Sequence, residues 1–227
     1  MLNIEKTVTA SPEQWMIAIE GARNAMNSWN RIDSYIEYIE NPVTGNRAPW
    51  QFHMGENDDK LLRNLNSAGS EHAKFKRMLP VTVTLAAPMY LFKELDTYKV
   101  ATVRNSTSTM HKIHAKEFTL DDFSVEHLNE LSTQTMEEII YRLNKCRDRY
   151  LVTKDKDDWW QMIQLLPSSY NQKSTLYLNY EVLSNIYKQR RHHKLDCWHT
   201  FCDWIETLPY SYLITGDLDD ESIISNS

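Results

Sequence analysis

The side chains best equipped for chemistry lie close together between Thr97 and His114. Thr97-Tyr98-Lys99 leads into Thr102, Arg104, Asn105, Ser106, Thr107, Ser108 and Thr109, and His111, Lys112 and His114 follow. Hydroxyls and amides at this density make poor core and poor helix, because their side chains compete with the backbone for hydrogen bonds. Read alone, the run is a solvated loop. Mixed with cations and set between apolar segments, the same donors suit a phosphate or a nucleobase edge. A second cationic group, Arg190-Arg191-His192-His193-Lys194, has two readings. It is the basic end of a helix, favoured by the macrodipole, or a contact for a nucleotide phosphate or a flavin.

Other chemistries find less support. No Ser-His-Asp or Cys-His arrangement follows from the spacing. His192, His193, Cys197, His199 and Cys202 lack the paired spacing of a zinc site, and no metal is expected. With five glycines the chain has neither GxGxxG nor GxxxxGK[ST], so a glycine-rich phosphate cradle is excluded.

The elements that must position these groups are legible around them. Val81, Thr82, Val83 and Thr84 are β-branched and predict a strand. Pro88 suits the first residue of a short helix striped by Met89, Leu91, Phe92 and Leu95. Farther on, Leu166-Pro167 precedes a polar turn and a strand, Thr175 to Asn179. A helix then starts near Tyr180, and a final helix is striped by Leu195, Trp198, Cys202 and Ile205.

A strand, Ala87-Pro88, an amphipathic helix and a basic, hydroxyl-rich segment resemble the flavin-dependent thymidylate synthases. The signature of that family runs Arg-His-Arg-x-x-Ser-x-Asn-Glu-x-Ser-x-Arg. Lined up from Ala87-Pro88, this chain reads Thr97-Tyr98-Lys99-x-x-Thr102-x-Arg104-Asn105-x-Thr107-x-Thr109. Lys99, Thr102 and Thr107 are like for like, and Asn105 stands at the Glu position. The family also carries Leu-Pro, a strand ending in Asn, a helix, an Arg and a Trp on the next helix. Pro167 to Asn179 matches this without a gap; one extra residue before Trp198 leaves Arg190 and Arg191 both open.

The resemblance implies an α+β fold, a small, mostly antiparallel sheet with long helices. It implies FAD-dependent transfer of a one-carbon unit to dUMP or a related deoxynucleotide. Methylenetetrahydrofolate and NADPH would be further partners, and a homotetramer the assembly. Thr107 and Asn105 take the catalytic positions. Lys99, Tyr98, Thr102 and Asn179 take cofactor-binding positions, and Arg104, Thr109, Arg190 and Arg191 substrate-binding ones. Three signature arginines correspond to Thr97, Lys99 and Thr109. Each lost charge-assisted bond costs about 1.5–3 kcal/mol. The family histidine before the central strand aligns with Met78, with His72 nearby. The alternative is a non-catalytic nucleotide- or flavin-binding protein on the same scaffold.

The remaining chain predicts one domain over 1–214 and an acidic mobile tail over 215–227. Residues 1–10 suggest a strand. Ser11-Pro12-Glu13-Gln14 opens a helix of about five turns carrying Trp15, Ile19, Ala22, Met26 and Trp29. Residues 30–56 read as a loop with a helical piece at Tyr35–Ile39. Asn57-Asp58-Asp59 would cap a second helix. A long helix is expected from Ser124 to Leu151, and Lys154-Asp155-Lys156-Asp157-Asp158 reads as a solvated turn. A net charge of −6 argues against bulk attraction to nucleic acid or an anionic membrane. No apolar run reaches the ~18 residues of a membrane span. Three cysteines without CxxC fit a reduced, cytoplasmic setting.

Overall fold

The computed structural model describes residues 2–216; the expected acidic tail beyond Gly216 lies outside them. The chain has an α+β architecture with six strands and eight α-helices among the described residues. It divides into two compact units. Among the described residues the first comprises 2–6, Val83–Lys99 and Arg104–Leu176; the second comprises Thr7–Thr82, Val100–Val103 and 177–216.

A four-stranded sheet runs in the order β1 (Asn3–Thr9), β4 (Pro80–Pro88), β6 (Asn171–Asn179), β5 (Val103–Ser106). In β4 the alternation is sharp: Val81, Val83, Leu85 and Ala87 are buried, while Thr82, Thr84 and Ala86 are half-buried. The period of two in a strand puts these sets on opposite faces. The half-buried face carries hydroxyls, and Thr84 Oγ1 lies 2.9 Å from Thr175 Oγ1.

In the first unit, helix α3 (Met89–Leu95) follows β4 directly, with Pro88 as its N-cap. Its first amides donate to segment 167–170: Met89 N to Tyr170 O at 3.0 Å and Tyr90 N to Ser168 O at 3.1 Å. Helices α4 (Glu130–Thr153) and α5 (Lys156–Leu165) pack together. Ile113, Phe118, Phe123, Met136, Leu143 and Met162 close the core between them. The expected long helix thus starts at Glu130 rather than Ser124, with Asn129 as its cap.

The charged run 154–158 departs from expectation. Asp155 caps α5 by accepting from Asp157 N at 2.9 Å, and Asp158 is buried, 3.4 Å from Arg149 Nε. Carboxylates are favoured in a first helical turn, so the run is also a helix start; Lys154 to Asp157 are exposed as expected, and Asp158 is the member that is buried.

In the second unit, α1 (Pro12–Arg23) has the expected capping box at Ser11 and Gln14. It ends two turns early. Two short 3-10 turns follow, separated by the left-handed Asn27 (φ 48°), and Met26 and Trp29 are exposed. Arg23 is instead buried, 2.6 Å from Asp58 Oδ1. Residues 35–39 belong to strand β2 (Tyr35–Glu40), paired antiparallel with β3 (Arg47–His53). Tyr and Ile in this stretch favour an extended chain, and Asn41 closes the hairpin by accepting from Val43 N and Thr44 N. Helix α2 (Glu56–Ser67) is not capped by its own Asn57-Asp58-Asp59. Asp33 accepts from Asn57 N at 2.8 Å and Asp58 N at 3.1 Å. Gly55 is needed beneath it, since a Cβ there would meet Asp33 Oδ1 at 2.2 Å.

Trp15 anchors this unit's core. It stacks on Phe52 at 5.4 Å and meets Tyr180 and Tyr210 edge-on. Helices α6 (Tyr180–Arg190), α7 (Asp196–Glu206) and α8 (Tyr212–Thr215) complete it, with Trp198 and Phe201 fully buried. Among the described residues no helix is long and apolar enough to cross a membrane.

Candidate functional site

The hydroxyl-rich run is not all loop. Residues Val103–Ser106 form β5, the end strand of the sheet, against β6. Thr107 N donates to Lys173 O at 2.9 Å, and Gln172 Nε2 donates to Thr107 O at 2.5 Å. The hydroxyl-rich run therefore meets the start of the strand after Pro167 within the first unit. The edge position leaves one side of β5 without a strand neighbour, which is why polar side chains can occupy it.

Strand parity sorts these side chains. Arg104 and Ser106 share one face; Asn105 and, one step past the strand, Thr107 share the other. Arg104 is fully engaged. Its Nε and Nη2 meet the two oxygens of Asp96 at 2.9 and 2.7 Å, its Nη1 donates to Ser106 Oγ at 2.6 Å, and its guanidinium lies over Phe92 at 4.9 Å. Ser106 Oγ in turn lies 2.8 Å from Ser174 Oγ. Such a bidentate fork fixes α3 to the sheet and neutralises the cation. Asn105, Thr107 and Lys99 are exposed, and their side chains enter no hydrogen bond or ion pair of the protein. Tyr98 and Thr109 are half-buried. Ser108 Oγ accepts from Met110 N and His111 N, which turns the chain after the run.

Four predicted site residues lie in the second unit. Thr102 is half-buried, and its Oγ1 is buried with no hydrogen-bond partner. It follows Ala101, a non-glycine residue at φ 58°. Asn179 is the N-cap of α6 and accepts from Val182 N at 3.0 Å. Arg190 lies over the Trp198 ring at 5.0 Å. Arg191 pairs with Asp203 at 2.7 Å and Glu206 at 3.2 Å. The hydrogen bond to Asp203 raises the Arg191 pKa further, against the opposing effect of burial. Asn179 and the arginines stand at opposite ends of α6, about 16 Å apart at 1.5 Å per residue. Within one chain they cannot hold one phosphate together.

Asp96, Gln172 and Ser174 escaped the sequence reading. Only the alternation of 103–107 hinted that a strand, and hence a strand partner, was present. His72 and Met78 are both exposed. Among the described residues no three His, Cys, Asp or Glu side chains come together as metal ligands would.

In the first unit the donors left exposed for a phosphorylated, planar guest are Lys99, Asn105 and Thr107, and not Arg104. No family model matches the sequence, and no curated protein matches it. Solved structures do. The thymidylate synthase ThyX of Helicobacter pylori, with FAD and dUMP, superposes with a TM-score of 0.62 at 14% identity, covering 94% of this chain and 96% of that one. The UMP/dUMP methylase PolB of Streptomyces cacaoi, bound with 5-Br dUMP, gives a TM-score of 0.56 at 12% identity, covering 91% of this chain and 88% of that one. At this identity the likeness establishes a ThyX-like fold.

Proposed function

We propose that this chain is a divergent ThyX-like enzyme that transfers a one-carbon unit to dUMP or a related deoxynucleotide with FAD as cofactor. The observation that carries the reading is the exposed edge of β5, where Asn105 and Thr107 stand uncommitted beside β6 on a scaffold alike over nearly its full length to nucleotide-methylating proteins. An Asn amide offers one acceptor and two donors, complementary to the imide edge of uracil. The Thr107 hydroxyl can donate to a second oxygen of the nucleotide, and Lys99 supplies charge for its phosphate. FAD, when bound, supplies the hydride chemistry, so no protein nucleophile is required. Methylenetetrahydrofolate, NADPH and assembly as a homotetramer belong to the same proposal.

A second reading is favoured by one observation: Arg104 and Arg191 each carry their own carboxylates. A protein of this kind would bind nucleotide or flavin without turnover. The discriminating experiment starts with colour. Purified protein is expected to absorb in the visible as a flavoprotein, or to do so after FAD is added, and then to convert dUMP to thymidylate with methylenetetrahydrofolate and NADPH. Flavin uptake without product selects the second reading. A colourless protein that takes up no FAD refutes the first.

A further inference from the structure

Apart from β5, the first unit holds a cleft of about 300 Å³ that the proposed reaction does not use. Its lining includes Tyr150 from the end of α4, Lys154 from the connection, Lys156 and Trp159 from the start of α5, and His111 and His114 from the segment after the hydroxyl run. The volume lies in the range of small-ligand sites.

Two features make this a built cleft. Trp159 Nε1 donates to Met110 O at 2.9 Å, which ties the indole to the segment bearing His111. The His114 ring lies edge-on to Tyr150 at 4.9 Å, while its backbone oxygen accepts from Arg147 Nε at 3.1 Å. The His114 Nδ1 has no hydrogen-bond partner in the protein, so that hydrogen-bonding capacity is unmet.

The charges are sorted as well. The connection carries Lys154 and Lys156 among Asp155, Asp157 and Asp158, yet none of these aspartates lines the cleft. Asp155 is spent as the cap of α5, and Asp158 is buried near Arg149. Lys154 holds a backbone at φ 57°, the left-handed helix end where glycine is favoured. Its Nζ lies 5.5 Å from the centre of the Tyr150 ring. Aromatic rings beside ammonium and imidazole groups are the chemistry that receives a stacked base and its phosphate.

We propose that this cleft is a second ligand site, for a nucleotide whose base stacks on Trp159 or Tyr150 and whose phosphate is held by Lys154, Lys156 and His111. The proposal does not depend on the reaction assigned to β5.

The test is a nitrogen-15 NMR titration of the full chain, with the Trp159 indole signal assigned through Trp159→Phe. AMP and UMP are the probes, and adenosine and inorganic phosphate the controls. One or both nucleotides are expected to shift the Trp159 signal saturably, and each control to bind more weakly than the nucleotide. Lys154→Gln/Lys156→Gln should weaken binding about tenfold, two exposed charge contacts at about threefold each. The variants Lys99→Ala and Asn105→Ala should leave the response intact. The proposal is overturned if neither nucleotide moves the signal, if the double variant binds as tightly as the parent, or if Lys99→Ala or Asn105→Ala abolishes the response. The last result would mean that only the β5 site binds. Flavin colour and thymidylate formation are scored separately, so failure of one reading leaves the other standing.

Discussion

Replacing Asp58 by Ala should cost about 4 kcal/mol of stability, a large share of a total near 5–15 kcal/mol. Asp58 is fully buried and Arg23 nearly so. Arg23 Nε donates to Asp58 Oδ1 at 2.6 Å, and Nη2, 2.5 Å from the same oxygen, is too poorly aligned to form a second bond. Asp58 Oδ2 accepts from Asp33 N at 3.1 Å and Ser34 N at 2.9 Å. Removing the carboxylate leaves a guanidinium in the interior and two amides without a partner. Breaking a buried pair from one side costs about 3–5 kcal/mol, most of it the uncompensated charge. At an unfolding entropy of about 0.45 kcal/mol per degree for a chain of this size, the midpoint should fall by about 9 °C. Calorimetry and urea denaturation both measure this. Arg23→Leu/Asp58→Leu removes both charges and should recover a large part of the loss, giving a coupling of at least about 2 kcal/mol. A cost for Asp58→Ala below about 1 kcal/mol would refute the argument, and so would strict additivity of the two substitutions.

Further predictions concern the site and pH. Arg104→Ala should cost about 1–2 kcal/mol in urea denaturation, because the fork to Asp96 and the bond to Ser106 go together, yet leave dUMP affinity within about twofold. A tenfold loss of affinity by calorimetry would return Arg104 to the substrate. Thr107→Val should leave stability within about 0.5 kcal/mol and weaken dUMP about two- to tenfold. Asn179→Ala should destabilise the protein by about 1 kcal/mol through loss of the α6 cap, measurable by thermal melting. Burial pushes the Lys76 pKa down to about 8, against a pull upward from Glu181, with Lys188 adding to the fall. Between pH 8 and about 10.4 the unfolded chain therefore holds a proton that the folded chain has released. The free energy of unfolding should rise across that window by up to about 3 kcal/mol. Lys76→Met should lack the rise; parallel pH profiles for the two proteins would count against it. Above about pH 10 the buried Tyr187, whose pKa is pushed up to about 12, opposes unfolding less in both proteins.

The sequence by itself determined the elements whose signals are local. The capping box at Ser11, the β-branched run from Val81, Pro88 at the start of α3 and Asn179 at the end of β6 all act within a few residues of their own position. Order and spacing of those signals sufficed for the α+β class. Three local readings failed because distant partners decided them. Asp58 serves Arg23 and not its own helix. Asp158 is buried beside Arg149, and Tyr35 to Glu40 is extended because Arg47 to His53 pairs with it. The site divides in the same way. That residues 97–109 are rich in donors is visible in the sequence. Which donors are free is not, because freedom depends on what lies across the sheet and at the helix ends. Asp96 takes Arg104, Ser174 takes Ser106, and Asp203 with Glu206 takes Arg191, leaving Lys99, Asn105 and Thr107 exposed. A charge is neutralised by whatever the fold brings within about 4 Å of it, and only the tertiary structure sets that neighbour.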